Sequence, residues 1–419
     1  MSDREVIERE ADPVAVGRPV HIRLGARAWA KKNLFSTWYD ALLTLTLGSL
    51  FVAFGWTLIR FLFTSDFAIL RVNLALLMVG GFPRDQLWRP VVALILVSIL
   101  LGLMAGIGSA SARDTAEQTG LPYQRSSPMA VLKRFWPVLA FVVVVLMLTE
   151  TLTPWLVAGA ALVAGVGSFP LGRGLPAGVR RFGLVILTII IAAVYLVLVS
   201  GGVGWDGWGG LHLNLFLTVA GLLLAFPLGL LLALGRRSTL PALRAMSVTY
   251  IEFIRGVPLI TLLLMGIFVI GFFLPTGFRP GNVTRVLIAI TLFESAYIAE
   301  VVRGGLQSVP GGQVEAAQAL GLAPWKTMRR IVLPQALRNT IPAMVGQFIS
   351  LFKDTTLVVI VGMIDILGAS QSANAQGAFL AQGLHRVTLP FVALAFWVGS
   401  YVMSREARRL EHKLGVGVR

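Results

Sequence analysis

Long runs of apolar residues, separated by short polar stretches, dominate the chain. A helix rises 1.5 Å per residue, so roughly 20 apolar residues cross a hydrocarbon core about 30 Å thick. Ten runs approach this length with few or no charged residues. They are residues 41–59, 91–112, 136–149, 151–172, 182–200, 211–235, 257–274, 286–302, 340–364 and 387–403. The pattern predicts an all-α, polytopic membrane protein of about ten transmembrane helices.

The composition agrees with a membrane protein and excludes ordinary soluble enzymes. Of the 419 residues, 56% are hydrophobic and only 13% are charged, about half the charged fraction of a typical soluble domain. The chain contains no cysteine, which excludes disulfides and cysteine-ligated metal sites. The histidines His21, His212, His385 and His412 form no cluster with the spacing of metal ligands. Neither a metal nor a cofactor is therefore expected.

The basic residues are sorted between alternate loops. The net charge is +16, from 36 Lys and Arg against 20 Asp and Glu, an excess that taken alone would also suit a nucleic-acid-binding protein. Alternate connections, counted from the N-terminus, hold 28 Lys and Arg on one side and six on the other. Because short cytoplasmic loops carry the excess of basic residues, both termini are predicted to be cytoplasmic. Residues 1–38 and 404–419 are then cytoplasmic tails.

The N-terminal membrane region is predicted to comprise residues 39–200, with about five spans. Residues 2–33 lack the apolar core of a signal peptide, so the first span is expected to be an uncleaved anchor. The outer loop at residues 64–90 is too long for a tight turn, and it is predicted either as a helix in the membrane interface or as an ordered loop. Trp205 and Trp208, in the next outer loop, suit a membrane interface.

The longest cytoplasmic connection is predicted to form two short helices joined by a break. Residues 313–320 favour a helix, and Glu315 in its first turn would lie near the positive end of the helix dipole. Gly321 is suited to the left-handed conformation that ends a helix, and Pro324 to the first turn of the next one. Pro334 is expected to end that second helix. The prediction is a compact, stiff projection on the cytoplasmic face.

Seven residues in this connection resemble the coupling-loop motif of bacterial ABC importer permeases. They are Glu315, Ala316, Ala317, Gly321, Ile331, Leu333 and Pro334. Three more segments resemble the polar-amino-acid branch of those permeases, namely residues 249–259, 295–305 and 350–357. The stretch 78–89 resembles the extended permease subunits of the general L-amino-acid importers of Gram-negative bacteria. The resemblance covers about residues 211–403.

The resemblance implies a five-span type I ABC importer core at residues 211–403, with a coupling loop at residues 303–338. It implies a permease subunit that translocates L-amino acids across the bacterial inner membrane. The implied partners are a cytoplasmic ABC ATPase dimer, a second and distinct permease subunit, and a periplasmic amino-acid-binding protein. The chain contains no Gly-Lys dipeptide and so has no P-loop. It is therefore not expected to be an enzyme, and ATP hydrolysis is assigned to a partner.

Charged residues inside spans are costly, and they commonly mark a substrate pathway. A zwitterionic amino acid requires both signs of charge near the midplane of the membrane. The candidate pathway residues, from the eighth and ninth spans, are Glu294, Tyr297, Glu300, Lys353, Asp354, Thr355 and Thr356.

The alternative interpretation is that these charges only neutralise one another. In that case Lys353 pairs with a glutamate of the eighth span, and Asp354 pairs with Arg303 or Arg255. Glu300 and Arg303, which are three residues apart on one helix, are also spaced to pair directly.

Two other functions stay open on the sequence alone. The first is an ion-gradient-driven secondary transporter, which the lack of an internal repeat disfavours. The second is a structural or assembly membrane subunit, in which the first five spans hold a partner. A membrane enzyme is least favoured, because no nucleophile–base pair or metal triad is found in or near the spans.

Overall fold

The computed structural model describes residues 26–120, 127–204, 207–275, 277, 280–380 and 382–414. Helices account for nearly all of these residues, and the β-type pairing among them is an isolated bridge between Gly210 and Asp365. The predicted all-α fold is confirmed. Much of the predicted N-terminal tail lies outside the described residues, as do 415–419 of the C-terminal tail. Trp205 and the side chain of His412 also lie outside them.

The chain divides into two compact units, residues 1–66 and 67–419. The described part of the first unit consists of α1 (Ala26–Leu34) and α2 (Trp38–Thr64). The Thr37 hydroxyl caps α2 by accepting a hydrogen bond from the Asp40 backbone N–H at 3.3 Å. None of the residues of α2 is buried within the chain. An apolar helix with no protein cover suits a lipid-facing span, in agreement with the first predicted run.

The second unit contains α3 to α17. Its first six helices are α3 (Ala68–Val79), α4 (Trp88–Thr119), α5 (Pro128–Arg134), α6 (Trp136–Met147), α7 (Thr153–Gly174) and α8 (Ala177–Val203). The following helices are α9 (Gly210–Arg236), α10 (Pro241–Gly256), α11 (Leu259–Leu264), α12 (Asn282–Gln307), α13 (Gly311–Ala319), α14 (Pro324–Thr327), α15 (Leu333–Asp354), α16 (Ile366–Asn374) and α17 (His385–Leu414). Short 3₁₀ and π segments lie at Arg84–Gln86, Met265–Val269, Ile270–Phe273, Met328–Val332 and Thr355–Val361.

Six helices of the described residues are long and apolar enough to cross a membrane, and two bent pairs raise the number to eight. The bent pairs are α5 with α6, at 74°, and α10 with the helical segment that begins at α11, at 103°. All ten predicted runs lie largely on helical residues. The two runs outside this count belong to α8, whose described apolar stretch is Val185–Gly201, and to α12, which carries two arginines and two glutamates. The number ten therefore stays a prediction.

The outer connection at residues 64–90 contains the helix α3, as one of the two predicted alternatives required, and its position at the membrane interface stays a prediction. α3 packs against α9 and α16, with Leu70 and Leu77 buried. The side chains of Asn73 and Gln376 join α3 to the turn after α16 through a reciprocal pair of amide hydrogen bonds, of 2.6 and 3.3 Å. One face of α3, with two of the leucines that suggested an interface helix, is therefore covered by the chain, while Val72 on the same helix is exposed.

α4 and α7 form the most extensive helix pair of the unit. Glycines line the contact, and a Cβ at Gly106 would overlap the carbonyl oxygen of Phe169. A Cβ at Gly172 of α7 would likewise overlap the carbonyl oxygen of Leu103. Small residues of this kind let helix backbones approach closely in membranes.

The main core lies around α12, which packs against α9 on one side and α15 on the other. Its fully buried side chains include Leu217 of α9, Ile298 of α12 and Leu351 of α15. Gly229 of α9 lies against Ile298, where a larger side chain would collide. α17 packs on α15 and α16 and closes this group of helices.

Candidate translocation pathway and coupling surface

The predicted coupling loop contains a short helix with a well-defined end. α13 ends as predicted at Gly321, which has a φ of +72° in the left-handed region. The Gly321 N–H donates to the carbonyl oxygen of Gln318 at 2.9 Å, and the Leu322 N–H to that of Ala317 at 3.0 Å. These bonds satisfy carbonyl groups that the helix end would otherwise leave free. Because α13 begins at Gly311, Glu315 lies just beyond its first turn, not within it as predicted.

The second predicted helix does not stop at Pro334. Helical structure continues from Pro324 to Val361 through α14, a π turn, α15 and a 3₁₀ segment. Pro334 lies in the first turn of α15. A proline inside a helix lacks an N–H and collides with the carbonyl of the preceding turn. The wider π turn at Met328–Val332 lies immediately before Pro334, where it relieves that crowding. The coupling segment is therefore rigidly continuous with the ninth predicted span.

The motif residues separate into an inner and an outer set. Ala317 is buried on the side of α13 that packs on the π turn. Glu315, Ala316 and Gly321 are exposed. Two large apolar side chains that the motif does not include, Leu320 and Trp325, project from the same tip and are 80% and 66% exposed.

Lys326, Arg329 and Arg330 are exposed beside this tip. An apolar centre with a charged rim is the composition of a protein-binding surface. We call the exposed residues of this segment the coupling tip, namely Glu315, Ala316, Leu320, Gly321, Trp325, Lys326, Arg329 and Arg330.

Glu300 lies at the centre of a charge cluster that joins three helices. Its Oε1 lies 2.8 Å from Arg236 Nη1 of α9, and its Oε2 lies 2.9 Å from Arg303 Nε of α12. Arg255 of α10 approaches Oε2 at 3.8 Å. Arg236 also contacts Glu252 of α10, at 3.0 Å. The predicted Glu300–Arg303 pair is present, but Glu300 serves mainly as a structural link between α9, α10 and α12.

Tyr297 contacts this cluster. The guanidinium of Arg255 lies 5.6 Å from the centre of the Tyr297 ring, a cation–π distance. Phe293 packs on the other side, with the ring centroids 4.8 Å apart. Of the seven predicted pathway residues, Tyr297 and Glu300 therefore belong to the arginine cluster.

A second charged group lies deeper, between α12 and the end of α15. Glu294 is only 1% exposed, and its Oε2 atom has no hydrogen-bond partner among the described residues. It interacts electrostatically with Asp354, which in turn interacts with Lys353. Among the described residues, none of the three forms an ion pair within 4 Å. The predicted neutralising pairs of Lys353 and Asp354 are therefore absent from this part of the chain.

The two threonines take part in local structure. Thr355 is fully buried, and its hydroxyl donates to the Phe352 carbonyl oxygen at 2.7 Å and accepts from Asn214 Nδ2 at 3.0 Å. The Thr356 hydroxyl donates to the Lys353 carbonyl oxygen at 2.8 Å. Thr355 is thus part of the interior, and Thr356 supports the helical turn that carries Lys353.

Asn214 and Asp365 form a buried network that the sequence did not indicate. Asn214 Nδ2 donates to Asp365 Oδ2 at 3.0 Å, while its Oδ1 accepts from the Ile366 N–H at 3.1 Å. Asp365 Oδ1 caps α16 by accepting from the Gly368 N–H at 2.8 Å. Burial raises the pKa of Asp365, and these hydrogen bonds act in the opposite direction. An acidic residue before an apolar helical segment is an N-cap signal that would have identified Asp365.

The comparisons with known proteins decide the family. Residues 225–416 match the family described as binding-protein-dependent transport system inner membrane component. The inner membrane amino-acid ABC transporter permease protein YhdY of Escherichia coli (strain K12) is 34% identical over 418 residues, with 94% of each chain covered. The chain belongs to this family of amino-acid ABC transporter permeases.

The chain is also similar to a second curated permease and to a solved structure. The glutamate/glutamine/aspartate/asparagine transport system permease protein BztC of Rhodobacter capsulatus is 38% identical, over 83% of the present permease and 78% of the relative. A crystal structure of an amino acid ABC transporter with histidines has 29% identity and a TM-score of 0.42, over 48% of the permease and 90% of that chain.

Family membership places the permease in the inner membrane as a multi-pass transport component and not as a catalyst. It implies an ATPase and a substrate-binding protein as partners. The family match begins within α9 and ends two residues after α17. The charge clusters and the coupling tip lie inside that range, while α1 to α8 lie outside it.

Proposed function

We propose that this permease translocates L-amino acids inward as one subunit of an ATP-driven importer. In this proposal the ATPases form a cytoplasmic dimer, the second permease is a distinct chain, and a periplasmic protein delivers the amino acid. The permease binds no ATP itself. The proposal extends to the membrane orientation, with both termini in the cytoplasm, and is supported by the 28 to six distribution of basic residues.

The coupling tip is the observation that carries this proposal. Its motif residues are exposed on α13 and the turn that follows, while α13 is fixed to the helical segment that enters the ninth span. Transmission of a movement requires a rigid element with two positions. An ATPase that binds the tip would move α15 directly, because helical structure runs without a break from Pro324 to Asp354.

The test reverses the charge at Glu315 in the assembled transporter. Glu315→Lys is expected to reduce ATP-dependent uptake about 5- to 150-fold, the usual size of a coupling free energy. Thermal unfolding of the isolated permease should stay unchanged, because Glu315 is exposed and has no ion pair within 4 Å among the described residues.

Glu117→Lys is the matched control. Glu117 is 62% exposed on α4, and its pair with Arg113 is a surface pair that contributes about 1 kcal/mol or less. Wild-type uptake by Glu315→Lys, or an equal loss in both variants, would refute coupling through the tip.

We further propose that Glu294, Asp354 and Lys353 line the amino-acid pathway. A buried carboxylate with an unused oxygen is suited to the α-ammonium group of the substrate. Lys353, exposed at the end of α15, is suited to the carboxylate. Thr356, whose hydroxyl donates to the Lys353 carbonyl oxygen, is placed beside Lys353 on the pathway. Tyr297, Glu300 and Thr355 take a supporting role in this proposal, because their partners are other side chains.

Glu294→Gln tests this assignment, because it removes the charge and retains the shape. A hydrogen bond to a charged group contributes about 1.5–3 kcal/mol, so the KM for uptake should rise roughly 10-fold or more while basal ATPase activity persists. Glu117→Gln makes the same chemical change on the surface and should leave the KM unchanged. A Glu294→Gln variant with altered thermal stability and an unchanged KM would assign Glu294 to structure alone.

A further inference from the structure

The C-terminal end of α17 and the end of α5 share a basic surface that the transport function does not use. The two segments contribute Lys133, Arg134, Arg405, Arg408 and Arg409. The Nη1 atom of Arg405 donates to the backbone carbonyl oxygen of Arg134 at 3.4 Å, which brings the two segments into contact.

The carboxylate of Glu406 lies in this surface and is already paired with arginines. Arg134 Nε donates to Glu406 Oε1 at 2.6 Å, and its Nη2 contacts the other carboxylate oxygen. Arg409 Nη1 approaches Glu406 Oε1 at 3.2 Å. Arg405 and Arg408 have no acidic partner within 4 Å among the described residues. The surface therefore keeps uncompensated guanidinium groups beside an internal salt bridge.

An aromatic pair lies close before these arginines on α17. Trp397 and Tyr401 stack with ring centroids 5.2 Å apart, and Trp397 is 54% exposed. Trp and Tyr are enriched near the two membrane–water interfaces. At 3.6 residues per turn, Arg405 and Arg408 follow on the same face of α17, about 6 and 10 Å beyond Tyr401. Both arginines lie beyond residue 403, where the tenth predicted span ends.

The end of α5 reaches the same region from the other side. α5 turns away from the axis of α6 by 74°, and Lys133 is exposed at its end. Trp136, at the start of α6, is 51% exposed. A bend of this size allows α5 to follow the membrane surface while α6 enters the membrane.

We propose that this surface binds the phosphate group of an anionic phospholipid. Arg405 and Arg408 donate hydrogen bonds to the phosphate oxygens, and Lys133 adds positive charge. Trp397 and Tyr401 contact the glycerol and the first carbons of the acyl chain. A lipid is favoured over a free phosphate ion because the aromatic pair supplies an apolar contact that only a lipid uses. Basic clusters next to a membrane helix attract anionic lipids in this way.

The test measures lipid binding to the full chain by native mass spectrometry. Phosphatidylglycerol is titrated against phosphatidylcholine of the same acyl chains. Wild-type protein should bind phosphatidylglycerol more tightly. Each arginine near a lipid surface contributes about fivefold in affinity, so Arg405→Gln with Arg408→Gln should weaken phosphatidylglycerol binding about 25-fold. Phosphatidylcholine binding should change little.

Arg237→Gln with Arg244→Gln is the matched control, since it removes two exposed arginines from the loop after α9 and the start of α10. An equal loss of binding in both double variants, or none in either, overturns the proposal. Displacement of the lipid by inorganic phosphate at similar concentration identifies a free-anion site and also overturns it. If the double variant does not fold, exposed Arg408→Gln alone should show about a fivefold loss, and an unchanged affinity refutes the site.

Discussion

The α4–α7 pair and the α9–α12–α15 group differ in what they bury. The first pair meets through glycines such as Gly102 and Gly106, which lie against backbone atoms of α7 and the Ser168 hydroxyl. Among the described residues, α4 and α7 bury two polar side chains, both serines, whereas α9, α12 and α15 bury five, namely Asn214, Thr218, Glu294, Ser295 and Thr340. Buried polar groups cost free energy unless they are hydrogen-bonded. The second group therefore carries more of this cost, including a buried glutamate, while α4 and α7 are joined chiefly by close packing.

The same contrast appears in the charged residues. In α12 the carboxylates of Glu294 and Glu300 have opposite environments, although only six residues separate them. Glu300 is held by three arginines, whereas Glu294 is deeply buried and one of its oxygens has no hydrogen-bond partner among the described residues. A neutralised carboxylate is typical of a structural link, whereas an unsatisfied buried one requires a further explanation, which the proposed amino-acid pathway supplies.

The largest effect is expected where the helices meet through glycine. Gly106→Leu should lower the free energy of unfolding by about 3 kcal/mol, because its side chain meets the backbone of α7, which cannot move aside without separating the helices. Denaturant unfolding of the purified permease measures this loss. Gly108→Leu, two residues along α4, is the control. A Cβ added at Gly108 would have no atom within 4 Å apart from its chain neighbours and the backbone of its own helix. Equal stability of the two variants would contradict a glycine-dependent contact.

A smaller effect is expected in the polar interior. Asp365→Asn should lower the free energy of unfolding by about 2 kcal/mol. If the new amide keeps its oxygen on Gly368, its NH₂ group faces Asn214 Nδ2, so two donors oppose each other. Asn214 cannot turn to relieve this, because its Oδ1 already accepts from Ile366. Asp85→Asn, at an exposed position, is the control. If Asp365→Asn lowered the free energy of unfolding no more than Asp85→Asn, the buried polar network would not distinguish the α9–α12–α15 group from the α4–α7 pair.

Periodicity and length located the helices well, because a membrane demands long apolar runs whatever surrounds them. Each predicted run lies largely on helical residues, and Gly321 ends α13 as its residue type predicted. What the pattern did not predict depends either on contact between distant parts of the chain or on local helix geometry. Nothing in the sequence of α3 indicates its contacts with α9 and α16. Pro334 was expected to end a helix, but the preceding π turn accommodates it.

The charge pairs show that spacing along the sequence predicts contacts within one helix but not contacts between helices. The spacing of Glu300 and Arg303 along one helix made their pair predictable. No pattern in the sequence connects Glu300 to Arg236, which is 64 residues away and lies on another helix. Leu320 and Trp325 were not predicted to belong to the coupling surface, because an apolar residue in a loop identifies a binding surface only when it is known to be exposed.

The central claim is that the coupling tip docks on the ATPase, and cross-linking tests it most directly. The chain has no native cysteine, so Leu320→Cys introduces a single thiol at the tip. With a short bifunctional reagent, the assembled transporter should give a permease–ATPase product for Leu320→Cys. It should give none for Leu380→Cys, which is 61% exposed and lies just before α17 on the opposite side of the predicted ninth and tenth spans. A product from Leu380→Cys, or none from Leu320→Cys, would contradict the account.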